Sequence, residues 1–252
     1  MRLRQICLVA GELQRNADDL CAVLGLSVAY RDPEVGRYGL ANVVVPIGQD
    51  FLEIVSPTRP GTSAGRYLTR RGGDGGYMVI LQGVDALADR VRLEAMGVRA
   101  VERIDRPTYR ATHFHPTDTG GILLSIDSVP GGDWRDADCE WPPAGPHWRE
   151  HRRSAQGLRM IGAELQSDDP DAFAALWSKL LDAPVGPGRS IALSNARLRF
   201  VEATDGRGRG LGGIEVACAD PQAALSLARG RGLAVDGDCA TICGLRVRLV
   251  GG

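Results

Sequence analysis

The chain of 252 residues almost lacks lysine: of its 30 basic residues only Lys179 is a lysine. An arginine bias of that kind points to a GC-rich bacterial genome more than to a function, and Lys179, on a helix, is unsuited to Schiff-base chemistry. No serine sits in a nucleophile elbow either, which leaves covalent catalysis without a candidate. No apolar run approaches the roughly 20 residues that span a bilayer. The first ten residues are basic and apolar but reach Gly11-Glu12 too soon for a signal peptide, so they read as the first strand of a cytoplasmic protein. A net charge of -1 gives no reason to expect a nucleic acid or a membrane as partner. The six cysteines have neither knuckle nor redox spacing. Cys7, Cys21 and Cys218 lie in apolar runs and read as small core residues, and Cys239 and Cys243 lack the second Cys/His pair a zinc site needs.

What the chain does contain is one kind of strand, four times. Phe51 to Ser56 (FLEIVS) recurs as Leu123 to Ser128 (LLSIDS), and more loosely as Leu198 to Ala203 and Leu245 to Val250. Each closes a module that begins with a strand and a helix, and a repeat of this size marks duplication. Module 1 opens with a strand at 5–10, a helix at 16–24 stopped by Gly25, and strands at 27–31 and 40–47. Module 2 repeats the order with a strand at 77–81, a helix at 84–95 and strands at 98–104 and 109–115. Residues 56–76, rich in Pro, Gly, Arg and Thr, read as a loop. Modules 3 and 4 follow in shorter form, with helices at 171–181, behind the cap Asp169-Pro170, and at 221–229. Residues 206–213 read as a flexible linker. The expected domains are 1–128, a Trp/Pro/Gly-rich linker at 129–157, and 158–252. Three tryptophans, Trp134, Trp141 and Trp148, are expected to pack the linker across a domain face rather than hang in water.

This pattern of paired βαβββ modules resembles the vicinal oxygen chelate superfamily, which includes glyoxalase I, bleomycin-resistance proteins and extradiol dioxygenases. The cast is that of its glyoxalase-like domain proteins. The segments Gln5 to Ala10, Phe51 to Ser56 and Gly120 to Asp127 fall where the superfamily's strand motifs fall. The resemblance implies an α+β fold of four tandem modules forming two cupped mixed sheets. It also implies a divalent metal in the cup, Fe, Mn, Ni or Zn, held from the first and last strands of each module.

Strand alternation shows which side chains share a face. Gln5, Cys7 and Val9 then look into the first cup, and Glu53 shares a face with Phe51 and Val55. Gln5 and Glu53 occupy the two ligand positions that the resemblance assigns to module 1, and are suitable donors. In module 2 the matching positions hold Gly76 or Tyr77, and Ser125. His113 and His115 stand two apart on the penultimate strand; with Glu53 they would give the two-histidine, one-carboxylate composition of a non-haem iron site. They would otherwise be polar lining of a metal-free cup or surface histidines beside a turn. In the second half Arg199 and Arg246 take the position of Glu53, with Glu164 and Glu215 on the first strands. Buried guanidinium would be costly alone, so mutual Glu–Arg pairing is the structural expectation and an Arg fork for an anion the functional one. Pairing module 1 with module 4 instead would set Gln5 and Glu53 opposite Gly213 and Arg246.

Smaller signals carry less. The match to GxGxxG at 208–213 precedes a strand rather than following one, which fails the dinucleotide context. His147 and His151 with Trp148, Arg149, Arg152 and Arg153 form a basic aromatic patch that reads as a solvated linker helix. Two functions stay open. One is a metal-assisted lyase, isomerase or dioxygenase acting on a small oxygenated molecule in the N-terminal cup, with Glu53 catalytic or a general base without metal. The other is sequestration of a small-molecule ligand by Gln5, Asn42, Tyr77, His113, His115 and Ser125, with the second half a degenerate structural copy. The chain is expected to be a monomer or homodimer.

Overall fold

The computed structural model describes residues 1–152 and 157–252. Strand β1 (Arg2–Val9) is followed by helix α1 (Leu13–Leu24), then β2 (Leu40–Ile47), β3 (Asp50–Pro57) and α2 (Ser63–Arg71). Next come β4 (Gly75–Gln82), α3 (Ala86–Ala95), β5 (Ala100–Arg106), β6 (Tyr109–Phe114), β7 (Leu123–Ser128) and the short α4 (Trp148–His151). The second half holds β8 (Arg159–Ser167), α5 (Pro170–Leu181), β9 (Ser190–Ala192), β10 (Arg197–Glu202), β11 (Gly210–Cys218) and α6 (Pro221–Gly230). It ends with β12 (Val235–Asp236), β13 (Cys239–Ile242) and β14 (Leu245–Gly251).

Two seven-stranded mixed sheets result, in the orders β2-β3-β1-β4-β7-β6-β5 and β12-β13-β14-β11-β8-β10-β9. Modules 1 and 2 share the first sheet and modules 3 and 4 the second. By compactness the chain divides differently, into one unit of residues 1–5, 77–141 and 162–211 and another of 6–76, 142–161 and 212–252. Among the described residues no helix is long and apolar enough to cross a membrane.

Helices α3, α5 and α6 start where the sequence supplies a cap. The carboxylates of Asp85, Asp169 and Asp220 accept from backbone N–H groups of the first turns of α3, α5 and α6, and Pro170 and Pro221 occupy first-turn positions that need no donor. Around α5, Phe173, Trp177 and Phe200 form a buried aromatic cluster of tilted and edge-on rings. Trp177 donates its indole N–H to the carbonyl of Thr119 at 3.1 Å, so its one polar atom is satisfied.

Four expectations about elements are corrected. Residues 27–31 form no strand, only a bridge from Tyr30 to Val44. The stretch at 56–76 is not all loop, because Thr62 caps α2 through Gly65 N at 3.0 Å and Ala64, Tyr67 and Arg71 are buried at helical spacing. The glycines at 210–213 belong to β11 rather than to a linker, and they are buried. The aromatic patch is not a solvated helix: Trp148 is fully buried and packs edge-on against Phe51 at 5.1 Å. Arg153 and the linker's last residues up to Gln156 lie outside the described residues.

The turn joining β13 to β14 is held with little latitude. Cys243 and Gly244 both have positive φ, and a Cβ on Gly244 would lie 1.9 Å from the Asp74 carbonyl oxygen. Only glycine serves there.

Candidate functional site

Glu53 stands in the middle of β3, paired in register with Val44 of β2, while Asn42 pairs with Val55. Opposed residues of an antiparallel pair share a face, so Asn42 and Glu53 meet on one side of the hairpin. The Asn42 amide donates to Glu53 Oε1 at 2.7 Å, and its own oxygen accepts from the Asp32 N–H at 2.8 Å. The backbone thus fixes the amide, and the amide fixes the carboxylate. Glu53 is 9 % exposed and Asn42 4 %. Cys7 completes the group from β1: burial, and then the facing Glu53 carboxylate, push its thiol well above the usual thiol range, so it stays a thiol and not a nucleophilic thiolate.

A second carboxyl lies in the other unit. Asp127 on β7 is 1 % exposed and accepts from the hydroxyls of Ser125 and Tyr109. Burial raises its pKa to about 7, against the opposing pull of those two hydrogen bonds. Trp141 closes this cluster. Its ring meets Tyr109 edge-on at 5.7 Å, its N–H donates to Gln5 Oε1 at 2.8 Å, and the Arg4 guanidinium lies 5.3 Å from its centroid. Cys139, just before Trp141, accepts from Arg4 through its carbonyl at 2.9 Å. The linker tryptophans are therefore packing residues, as their apolar bulk requires.

The remaining candidate residues fall as follows. His113 is half-buried on β6, directly across from Ser125. His115 lies beyond the end of β6, where its Nδ1 accepts from Thr117 N at 3.1 Å and faces the Arg99 guanidinium at 3.4 Å. That guanidinium also binds Asp118 through two bonds of 2.8 Å and holds it at about 2. Tyr77 is half-buried on β4. In the second half Arg199 donates to Glu164 across the parallel β8–β10 pair. Glu215 lies 3.7 Å from Arg248, its partner in register, and Arg246 stands in register with Gly213.

Among the described residues no three His, Cys, Asp or Glu side chains are grouped to hold a metal ion. Three of the four donors named for one have an atom otherwise engaged: Gln5 Oε1 by an indole, Glu53 Oε1 by an amide, His115 Nδ1 by a backbone N–H beside a cation. As arranged, these residues do not fit a divalent metal.

The sequence model of the glyoxalase-like domain matches residues 6–181. The chain belongs to this family. A search of curated proteins finds no match. Among solved structures, a mutant 4-hydroxymandelate synthase from Streptomyces coelicolor aligns over 92 % of this glyoxalase-like chain and 75 % of its own, with 15 % identity and a TM-score of 0.68. That likeness establishes the vicinal oxygen chelate fold. Methylmalonyl-CoA epimerase from Streptomyces coelicolor, in complex with 2-nitronate-propionyl-CoA, aligns over 51 % of this chain and 97 % of its own at 21 % identity and a TM-score of 0.46. The Mycobacterium tuberculosis epimerase aligns over 51 % and 87 % at 20 % identity and 0.45.

Asp127 is the residue that position-by-position comparison of the repeats misses. Matching the two closing strands sets Ser125 against Glu53 and Asp127 against Val55. The signal was the period of two: a carboxylate moved by two residues stays on its face.

Proposed function

We propose that this glyoxalase-like protein acts on a small oxygenated organic molecule by metal-independent acid–base chemistry, with Glu53 exchanging the proton and Asn42 positioning it. The observation that carries this reading is the chain from the Asp32 N–H through Asn42 to Glu53 Oε1, at 2.8 and 2.7 Å. A general base needs its lone pair fixed in space before substrate arrives, and a buried amide locked by backbone does that. The proton leaves a carbon beside a carbonyl, rests on Glu53 and returns to the same carbon, so no oxidant or second substrate is required. Trp148 over Phe51 supplies an apolar wall that keeps water from competing.

Burial of this face favours a second reading, in which the ligand is held and not turned over. The two readings separate in one experiment. Small α-hydroxy and α-keto compounds are incubated with the protein in D2O after dialysis against EDTA, and deuterium uptake is followed by proton NMR. Exchange at the carbon beside the carbonyl, lost in Glu53→Gln, supports the catalytic reading. Ligand-induced shifts without exchange leave sequestration, and exchange that survives Glu53→Gln removes Glu53 from the chemistry.

A further inference from the structure

A shallow cavity of about 500 Å³ lies where β3 gives way to α2, with Pro57, Pro60 and Thr69 in its walls and Arg59, Arg66 and Arg70 around it. No carboxylate lines it. This is unusual for a chain whose 30 basic and 31 acidic residues nearly cancel. Elsewhere arginines find acids: Arg90 with Asp105, Arg92 with Asp89, Arg99 with Asp118, Arg189 with Asp171, Arg231 with Asp19. Among the described residues the three groove arginines have no ion-pair partner. Their contacts are with neutral groups. Arg66 donates to the Gly61 carbonyl at 2.7 Å and to Ser63 Oγ at 2.9 Å, which aims its guanidinium along the first turn of α2. Arg70 lies over the Tyr67 ring at 5.3 Å, and Arg59 packs its guanidinium stem over Gly39.

We infer that this groove binds a diphosphate-bearing small molecule, at a site separate from Glu53 and independent of its role. Three like charges converging without a counter-charge repel one another, and an anion relieves that repulsion. A guanidinium fork matches phosphate oxygens two at a time, and three cations match the charge of a diphosphate better than that of a single carboxylate. The first turn of α2 adds the positive end of a helix dipole. The cavity is large enough for such a group, falling within the range of roughly 300–1,000 Å³ typical of ligand sites. Two prolines at its rim limit the backbone entropy lost when the anion docks.

The test is isothermal titration of the intact protein with inorganic pyrophosphate at low ionic strength, with sulfate as comparison. The variants Arg59→Ala, Arg66→Ala and Arg70→Ala are set beside Arg229→Ala, an exposed arginine in the last turn of α6. All four positions are exposed, so thermal melts should match the parent. Saturable binding is expected, weakened about tenfold or more by each groove substitution and left within about twofold by Arg229→Ala. Absence of saturable binding, sulfate binding as tight as pyrophosphate, or equal losses at Arg229 would each overturn the assignment.

Discussion

The closing strands β3 and β7 have one six-residue frame and two different acids. Glu53 takes the third place of Phe51 to Ser56, Asp127 the fifth place of Leu123 to Ser128. Both face the same way from their own strands, because side chains alternate with a period of two. Their surroundings differ. Glu53 keeps 9 % exposure and accepts from an amide fixed by backbone. Asp127 keeps 1 %, between two hydroxyls, and is pushed up to about 7. Duplication therefore copied a strand, and the packing around each copy decided what its acid can do. One accepts from an amide that the backbone holds in place, the other is half-protonated near neutrality and consumed by internal bonds.

Removing Trp141 should break this contrast most forcefully. Trp141→Ala removes the ring packed edge-on against Tyr109, the partner of Asp127, and should cost about 3–5 kcal/mol in urea denaturation. It should also bring the Asp127 pKa down toward the ordinary range, seen by carboxyl NMR. A pKa that stays near 7 would mean that burial by the linker is not its cause.

Asp127→Asn comes next. The folded pKa of about 7 lies above the unfolded value of about 3.9, so the folded state holds the proton more tightly. The advantage is complete below about pH 4 and is lost as pH rises to about 7, a loss of about 4 kcal/mol. The asparagine variant should flatten the stability profile across that window. Denaturation midpoints at several pH values check it, and an unchanged slope would assign the titration elsewhere.

Tyr109→Phe is smaller. It removes a donor to the carboxylate, so the Asp127 pKa should move further up, with about 1–2 kcal/mol lost above neutrality. Glu53→Gln should be smallest for stability, within about 1 kcal/mol, since its amide oxygen can still accept from Asn42. A large stability loss there would make Glu53 structural and erase the distinction between the two strands.

Much of this was legible in the residues. Apolar alternation announced the strands, Asp169 before Pro170 announced α5, and the repeat's resemblance to the vicinal oxygen chelate superfamily implied the fold. The meeting of Asn42 and Glu53 follows from alternation once the β2–β3 hairpin exists, as does the pairing of Glu164 with Arg199. The misses have physical reasons. Helix α2 buries only Ala64, Tyr67 and Arg71, too thin a stripe to stand out among glycines and arginines. Glycines 210, 212 and 213 carry no hydrophobic signal, yet they lie buried in β11. Parallel register sets Glu215 beside Arg248 and Gly213 beside Arg246, and register is set by partners far along the chain. The arginine groove escaped because its defining property is the absence of nearby acids, which spacing along a chain does not reveal.

The unit that carries Glu53 joins residues 6–76 to 142–161 and 212–252. A nascent chain emerging from the ribosome therefore exposes Glu53 and its apolar neighbours long before residues 212–252 arrive to complete their unit. The Gly244 turn, seated within van der Waals distance of Asp74, is part of that late arrival. Expression of residues 1–181, the span up to the end of the family match, should yield a sticky, chaperone-dependent fragment rather than a smaller working protein.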